Sequence, residues 1–404
     1  MSIFWNALTA AYDWWNHSPL PPPVTFTQDS DSWVKIDLCT RSTPDIVASF
    51  VDLIPTQLHH SVELSERKTL TTCEIFSIES QLSCPDSDQF FAFINKRFPK
   101  LTLCESLGSG VTSKVWKVTF QNLEGLMETK ALRVSRTDSL PDQVKTNYYA
   151  WNSKRMGGEW NALLDYQSEH ILSTDLAIAW NDQSRTFEIL TQRQVMEMFR
   201  DSSLLRGATF TLYATFSHYV EGVENLQDRI DQSPSFEVST IRHFAKQIFE
   251  GLAALHRLDP DLMHRDIKPA NILVTKENHL LLCDFGFSKI GSLEGTSVGS
   301  PAYMAPELLL MKHYNGQADI YSTFVILFRL ATGEAPVPAK SPWELSQRLA
   351  KRIKQNCEFD KDPRLATIAP LLRDLILQTG KLSPEERLTA EDALRHPFFT
   401  EQVV

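Results

Sequence analysis

The most constraining stretch of this chain is a run of eight residues, His264-Arg265-Asp266-Ile267-Lys268-Pro269-Ala270-Asn271, followed directly by the apolar Ile272-Leu273-Val274. It sets a carboxylate, an amine and a carboxamide within six residues, a combination suited to a hydroxyl, a phosphate and a metal ion. Asp266 can accept a hydrogen bond from an attacking hydroxyl and orient it. Lys268 can offset charge on a phosphoryl group, and Asn271 can supply a hard oxygen ligand to Mg²⁺. Eighteen positions after Asp266 comes Asp284-Phe285-Gly286, behind the apolar Leu280 to Cys283. An apolar strand that delivers a carboxylate to a glycine-permitted turn places a second metal ligand.

Periodicity organises the rest. Leu101–Leu107, Lys114–Phe120 and Glu128–Val134 read as strands, whereas Val238–Arg257 and Gln317–Thr332 carry helical patterns. A β-rich part followed by an α-rich part predicts an α+β architecture of two lobes, with a ligand cleft between them. Further upstream, Phe4, Leu8, Ala11 and Trp15 fall at helical spacing, and Pro19, Pro21, Pro22 and Pro23 favour a stiff connector. Residues 1–23 are therefore read as an amphipathic helix and Pro-rich connector, the helix either meeting a partner or a membrane surface or folding back on its own domain. Residues 24–100 look folded but carry no identifiable chemistry. They hold a candidate strand, Ser32 to Cys39, and candidate helices at Pro44 to Leu53 and Asp86 to Phe98.

Gly299-Ser300-Pro301-Ala302-Tyr303-Met304-Ala305-Pro306-Glu307 closes the segment that Asp284 opens. On these motifs, residues from about 100 to 400 resemble the eukaryotic protein kinase family. The resemblance implies a two-lobed kinase-like fold over 101–404, with a small β-rich lobe at 101–218, a hinge at 218–223 and a helical lobe at 224–404. It implies ATP and Mg²⁺ as cofactors, Asp266 and Lys268 as catalytic residues, and Asn271 and Asp284 as metal ligands. Lys268 two places beyond Asp266, with Ser300 before Pro301, is similar to the Ser/Thr branch, so a protein hydroxyl is the implied substrate. Asp319 resembles the buried helix aspartate that ties down the catalytic loop, and Arg387 the arginine that pairs with Glu307.

The small-lobe motifs follow with departures. Leu107-Gly108-Ser109-Gly110-Val111-Thr112-Ser113-Lys114-Val115 resembles the glycine-rich loop over ATP phosphates, with Ser113 in the third glycine's place. Gly108, Ser109, Gly110 and Val115 are then nucleotide-binding, as are Leu273 and Ala131, the latter above the adenine. Glu159 resembles the carboxylate of the regulatory helix. After an apparent insertion, Gln192 to Arg206, Ser217-His218-Tyr219-Val220-Glu221-Gly222 looks like the hinge. In that register Ser217 is a small gatekeeper, Val220 offers its backbone to adenine and Glu224 meets the ribose.

The family places a lysine two residues after the roofing alanine, where this chain reads Glu128-Thr129-Lys130-Ala131-Leu132-Arg133-Val134. Strand side chains alternate faces, so Ala131 and Arg133 point the same way and Arg133 enters the cleft. Sliding Lys130 into the role would set Glu128 against the adenine, and burying that carboxylate is costly. Lys117 and Lys130 remain as stand-ins. Arginine keeps the charge and can pair with Glu159, but its planar fork is not equivalent to an ammonium.

Thr296 stands where the family often carries an activating phosphate, with Arg265 and Lys289 as its basic pocket. The other reading is a plain solvated loop threonine. Ala270 occupies a place where relatives that prefer basic substrates often carry glutamate, so nothing supports such a preference here. A formal charge of −10 argues against a constitutive nucleic-acid partner. No apolar run is long enough for a membrane span, and the six cysteines lack the close pairs of a zinc site or disulfide framework. The first residues lack the pattern of a signal peptide, so a cytoplasmic or nuclear location is expected. The expected function is a Ser/Thr protein kinase acting on protein substrates, with any further partner met through the N-terminal region. The alternative is a pseudokinase, a nucleotide-binding scaffold that turns over poorly. Intact Asp266, Asn271 and Asp284 favour the first, Arg133 and Ser113 the second.

Overall fold

The structure, a computed structural model, describes residues 24–28, 34–38, 87–109, 113–122, 124–135, 166–181, 183–200, 210–233, 235–258, 262–285, 289–290, 301–309, 314–339, 342–355 and 357–401. The expected first helix, the proline connector, the helix from Pro44, and Gly110, Glu159 and Thr296 lie outside these residues. The chain divides into two compact units, 1–68 and 69–404. In the first, strands β1 (Val24–Gln28) and β2 (Val34–Leu38) pair antiparallel, Val24 opposite Leu38. The second of these falls within the strand expected from Ser32.

The second unit opens with helix α1 (Ser87–Arg97) and a six-stranded antiparallel sheet. Its strands are β3 (Thr102–Ser109), β4 (Ser113–Gln121), β5 (Met127–Ser135), β6 (Thr174–Asn181), β7 (Thr186–Thr191) and β8 (Phe210–His218), in the order β3-β4-β5-β8-β6-β7. The three strands read from alternation are therefore present, each a residue or two longer. The chain expected as an insertion from Gln192 departs earlier: β7 pairs with β6 as a sixth edge strand, and helix α2 (Gln192–Arg200) follows it. Alternation in Thr186–Thr191 breaks at Ile189-Leu190, so pairing with β6 is what reveals the strand.

The two faces of this sheet go to different cores. Trp116, Val118, Phe120, Leu132, Val134, Ala214 and Phe216 share the outer face with Phe90, Ile94 and Phe98, and all are buried. Phe90 and Ile94 of α1 and Phe98 just past its end recur every four residues and make one stripe, which roofs the sheet. The small lobe thus gains a structural element ahead of residue 101. On the inner face Ala177, Ala179, Leu190 and Leu212 pack with Val195 and Met196 of α2.

The large lobe is helical. After β9 (Glu224–Asn225) and α3 (Leu226–Gln232) come α4 (Val238–Leu258), α5 (Pro306–Leu309), α6 (Gln317–Thr332), α7 (Pro342–Lys354), α8 (Pro370–Thr379), α9 (Ala390–Leu394) and α10 (Pro397–Thr400). The helices expected from Val238 and Gln317 match α4 and α6. Helix α6 is apolar on nearly every face because it lies in the middle of the lobe, and Gly333 ends it at φ +76°, donating its N–H to Arg329 O. The short strands β10 (Leu262–Met263), β11 (Ile272–Val274), β12 (Leu280–Leu282) and β13 (Lys289–Ile290) lie between α4 and α5. Among the described residues, no helix is long and apolar enough to cross a membrane.

Candidate active site

The eight-residue run that opened the sequence forms the loop between β10 and β11. Its shape is set from beneath by Asp319, which is fully buried on α6. The backbone amides of His264 and Arg265 donate to its two carboxylate oxygens at 2.9 Å each, and His256 Nε2 lies 3.1 Å from Oδ2. Burial pushes the Asp319 pKa up, but the His256 hydrogen bond and charge and the His264 contacts outweigh it, leaving the group below its usual value. Arg265 takes a left-handed backbone, φ +67°, at this anchor. Such strain in a non-glycine residue persists only where its surroundings hold it.

Above the anchor, three polar side chains meet. Asp266 Oδ2 accepts from Lys268 Nζ at 2.7 Å and from Asn271 Nδ2 at 2.8 Å. Asn271 Nδ2 also donates to the Asp266 carbonyl at 2.9 Å. With its amide nitrogen committed to Asp266, the Asn271 carbonyl oxygen is presented on the opposite side, as a hard ligand should be. Strands β11 and β12 pair Ile272 with Leu282 and Leu273 with Leu281, which carries Asp284 to the same place. Asp284 also sits in the left-handed region, at φ +66°. Phe285 is buried, with its ring 4.8 Å from His264 and stacked on Tyr166 at 5.6 Å.

The small lobe closes the cleft from the other side. Antiparallel register sets Arg133 opposite Val115 and Thr215, with Val115 opposite Gly108. Ala131 lies opposite Lys117 and Ser217, so these residues share the inner face. Arg133 Nη1 reaches across the cleft to Asp284 Oδ1 at 2.9 Å. Lys130 lies on the other face and pairs with Asp175 at 2.6 Å, away from the cleft. Lys117 shares the inner face but sits towards the hinge, its ammonium 4.5 Å from the centre of the Tyr219 ring. The hydrogen bond to Tyr219 raises its pKa.

Other expected positions fall around the same cleft. A Cβ built on Gly108 would meet nothing within 4 Å among the described residues, so no clash with them requires that glycine. Ser109 ends β3. Ser217 is buried, its hydroxyl 2.9 Å from that of Thr174. Val220, between β8 and β9, makes no backbone hydrogen bond to another described residue. Glu224 is already engaged by Arg229 Nε, so at the ribose position it would be a shared acceptor. Leu273 is half-buried between the buried Ile272 and Val274. The backbone of Lys289 pairs with Met263, one residue from the loop, and Arg265 Nη1 donates to the Tyr314 hydroxyl at 3.1 Å. Arg387 forms a buried two-pronged pair with Glu307, at 2.6 and 2.7 Å.

Three contributors were not legible beforehand: His256, Tyr166 and Tyr314. Each acts through a partner far away in sequence, and His256 looked like any basic residue in the last turn of a helix.

A family description, protein kinase domain, matches residues 101–399. Serine/threonine-protein kinase unc-51 of Caenorhabditis elegans is 34% identical over 195 residues, 44% of this chain and 21% of that protein. Calcium-dependent protein kinase 4 of Solanum tuberosum is 38% identical over 185 residues, 44% of this chain and 32% of the relative. Serine/threonine-protein kinase apg-1 of Neurospora crassa is 25% identical over 335 residues, 74% of this chain and 32% of its own. The matches thus span between a fifth and a third of these relatives. A two-lobed structure with Asp266, Asn271 and Asp284 facing one cleft, and a family match over most of its length, make this chain a member of the protein kinase family.

Proposed function

We propose that this protein transfers the γ-phosphate of ATP to serine and threonine hydroxyls of other proteins. The observation that carries the reading is the meeting of Asp266, Lys268 and Asn271 beneath Asp284 and Arg133, contributed by two lobes. Asn271 Oδ1 and the Asp284 carboxylate are hard oxygen donors of the kind Mg²⁺ takes alongside substrate phosphates. When bound, Mg²⁺ neutralises charge on those phosphates. Asp266 accepts the proton-bearing edge of the incoming hydroxyl and aims its oxygen. Lys268, held on the same carboxylate, stands where charge shifts during transfer. Arg133 takes the position of the small-lobe cation, with the phosphates near the end of β3 that contains Gly108. Ala131 and Leu273 sandwich the base, and the Val220 backbone offers it hydrogen bonds.

Positioning is most of what such a site contributes, so the test is direct. Incorporation of radiolabelled phosphate into a generic protein substrate should fall about a hundredfold or more in Asp266→Asn. Equal incorporation by the two proteins would remove the transferase reading.

A further inference from the structure

Leu282 of β12 is paired on both sides. On one it lies opposite Ile272 of β11. On the other it donates its N–H to the His170 carbonyl and accepts from the Leu172 N–H, at 2.9 Å each, in a parallel bridge with Ile171. Residues 170–172 lead into β6, so a segment of the small lobe is bonded to a strand of the large one. Asp284 stands two residues beyond Leu282, and the Cys283 N–H donates to the Asn271 backbone carbonyl at 3.0 Å. Both residues read as metal ligands therefore depend on where β12 lies.

One side chain ties this segment to the large lobe. His170 is buried, its Nδ1 3.2 Å from the Leu280 carbonyl and its Nε2 3.0 Å from Glu250 Oε2 on α4. Both neighbours are acceptors: an imidazolium donates to both, and a neutral ring donates to one while packing against the other. His170 thus grips both ends of a three-residue strand, its ring at Leu280 and its carbonyl at Leu282. Helix α4 comes this close because residue 251 is glycine. A Cβ there would fall 3.2 Å from the His170 carbonyl oxygen and 2.8 Å from Leu282 Cδ1. Packing this tight transmits a displacement rather than absorbing it.

We propose that His170 and Glu250 are positioning residues for the metal: through β12 they hold Asp284 where it and Asn271 can share one Mg²⁺. This rests on the reading of the cleft as a nucleotide site. Mg²⁺ demands near-ideal octahedral geometry, so a small shift of one carboxylate weakens its hold. Calorimetric titration of ATP in excess EDTA and in excess Mg²⁺ gives the affinity gain that the metal supplies, for the wild type, His170→Ala, Glu250→Ala and His396→Ala. The first two variants should bind ATP in EDTA within about twofold of the wild type, and their Mg²⁺ gain should be smaller by about fivefold or more. His396→Ala should keep the wild-type gain, because His396, buried like His170, meets Asp374 of α8 at 3.0 Å instead. A wild-type gain in either His170→Ala or Glu250→Ala, whatever the cost in melting temperature, makes the joint merely structural and overturns the proposal. An equal loss in His396→Ala does the same. A wild type that binds ATP with no gain from Mg²⁺ removes Asp284 and Asn271 as metal ligands, and the proposal with them. No ATP binding by the wild type in either buffer overturns the nucleotide site itself and what is built on it. If a thermal scan finds His170→Ala unfolded, Glu250→Ala decides, since that side chain is 34% exposed.

Discussion

Asp319 shows how one residue can hold a catalytic loop without touching a substrate. It is fully buried, and it stays charged because two backbone amides and His256 supply the hydrogen bonds that water would. Asp319→Asn turns an acceptor oxygen into a donor that faces one of those amides. The expected loss is about 2–3 kcal/mol, read from a denaturant midpoint. The pH dependence has a definite sign. The folded-state pKa of Asp319 lies below its ordinary value, so its stabilisation is complete above about pH 4 and is lost as pH falls through the lower folded value. The acid limb of the wild-type stability profile should therefore flatten in Asp319→Asn.

Among the elements, α1 and the β7–α2 unit set this small lobe apart, one on each face of the sheet. The outer face carries Trp116, Phe120 and Phe216, with Phe98 stacked on Phe216 at 4.6 Å. Without α1 those rings would meet water. Phe90→Ala is expected to cost about 3–4 kcal/mol in thermal or denaturant unfolding. ATP affinity of the folded fraction should be unaffected, because Phe90 packs on the face turned away from Arg133 and Ala131. If Phe90→Ala matched the wild-type midpoint, α1 would not belong to the lobe's core. On the inner face α2 buries Val195 and Met196 while Arg193 and Glu197 pair in water, so the stripe facing the sheet binds the helix there.

For the molecule as a whole, the segment running from Asp284 to Glu307 is pinned at its far end by the Glu307–Arg387 pair, whose partners lie eighty residues apart. Both are buried, and Arg387 also donates to the carbonyls of Lys381 and Gln317. Removing one partner leaves a buried charge without its counter-ion. Arg387→Met should lower stability by about 3–5 kcal/mol, and Glu307→Gln/Arg387→Met together should cost less than the sum of the single changes. Calorimetric unfolding of the four proteins checks both statements.

What the sequence determined by itself is local. The order Asp266, Lys268, Asn271 and then Asp284 is a matter of spacing along one strand–turn–strand stretch. That Arg133 and Lys130 take opposite faces of β5 needed only the two-residue period of a strand; Arg133 meets Asp284 and Lys130 meets Asp175. Helices α4 and α6 were legible because their apolar patterns run for several turns. The tertiary structure alone decided which distant groups satisfy one another: His256 and two amides on Asp319, Tyr166 on Phe285, α1 over the sheet, and Arg133 on Asp284. These contacts come from burial and from the need of every buried polar group for a partner, and neither leaves a periodic trace in the chain.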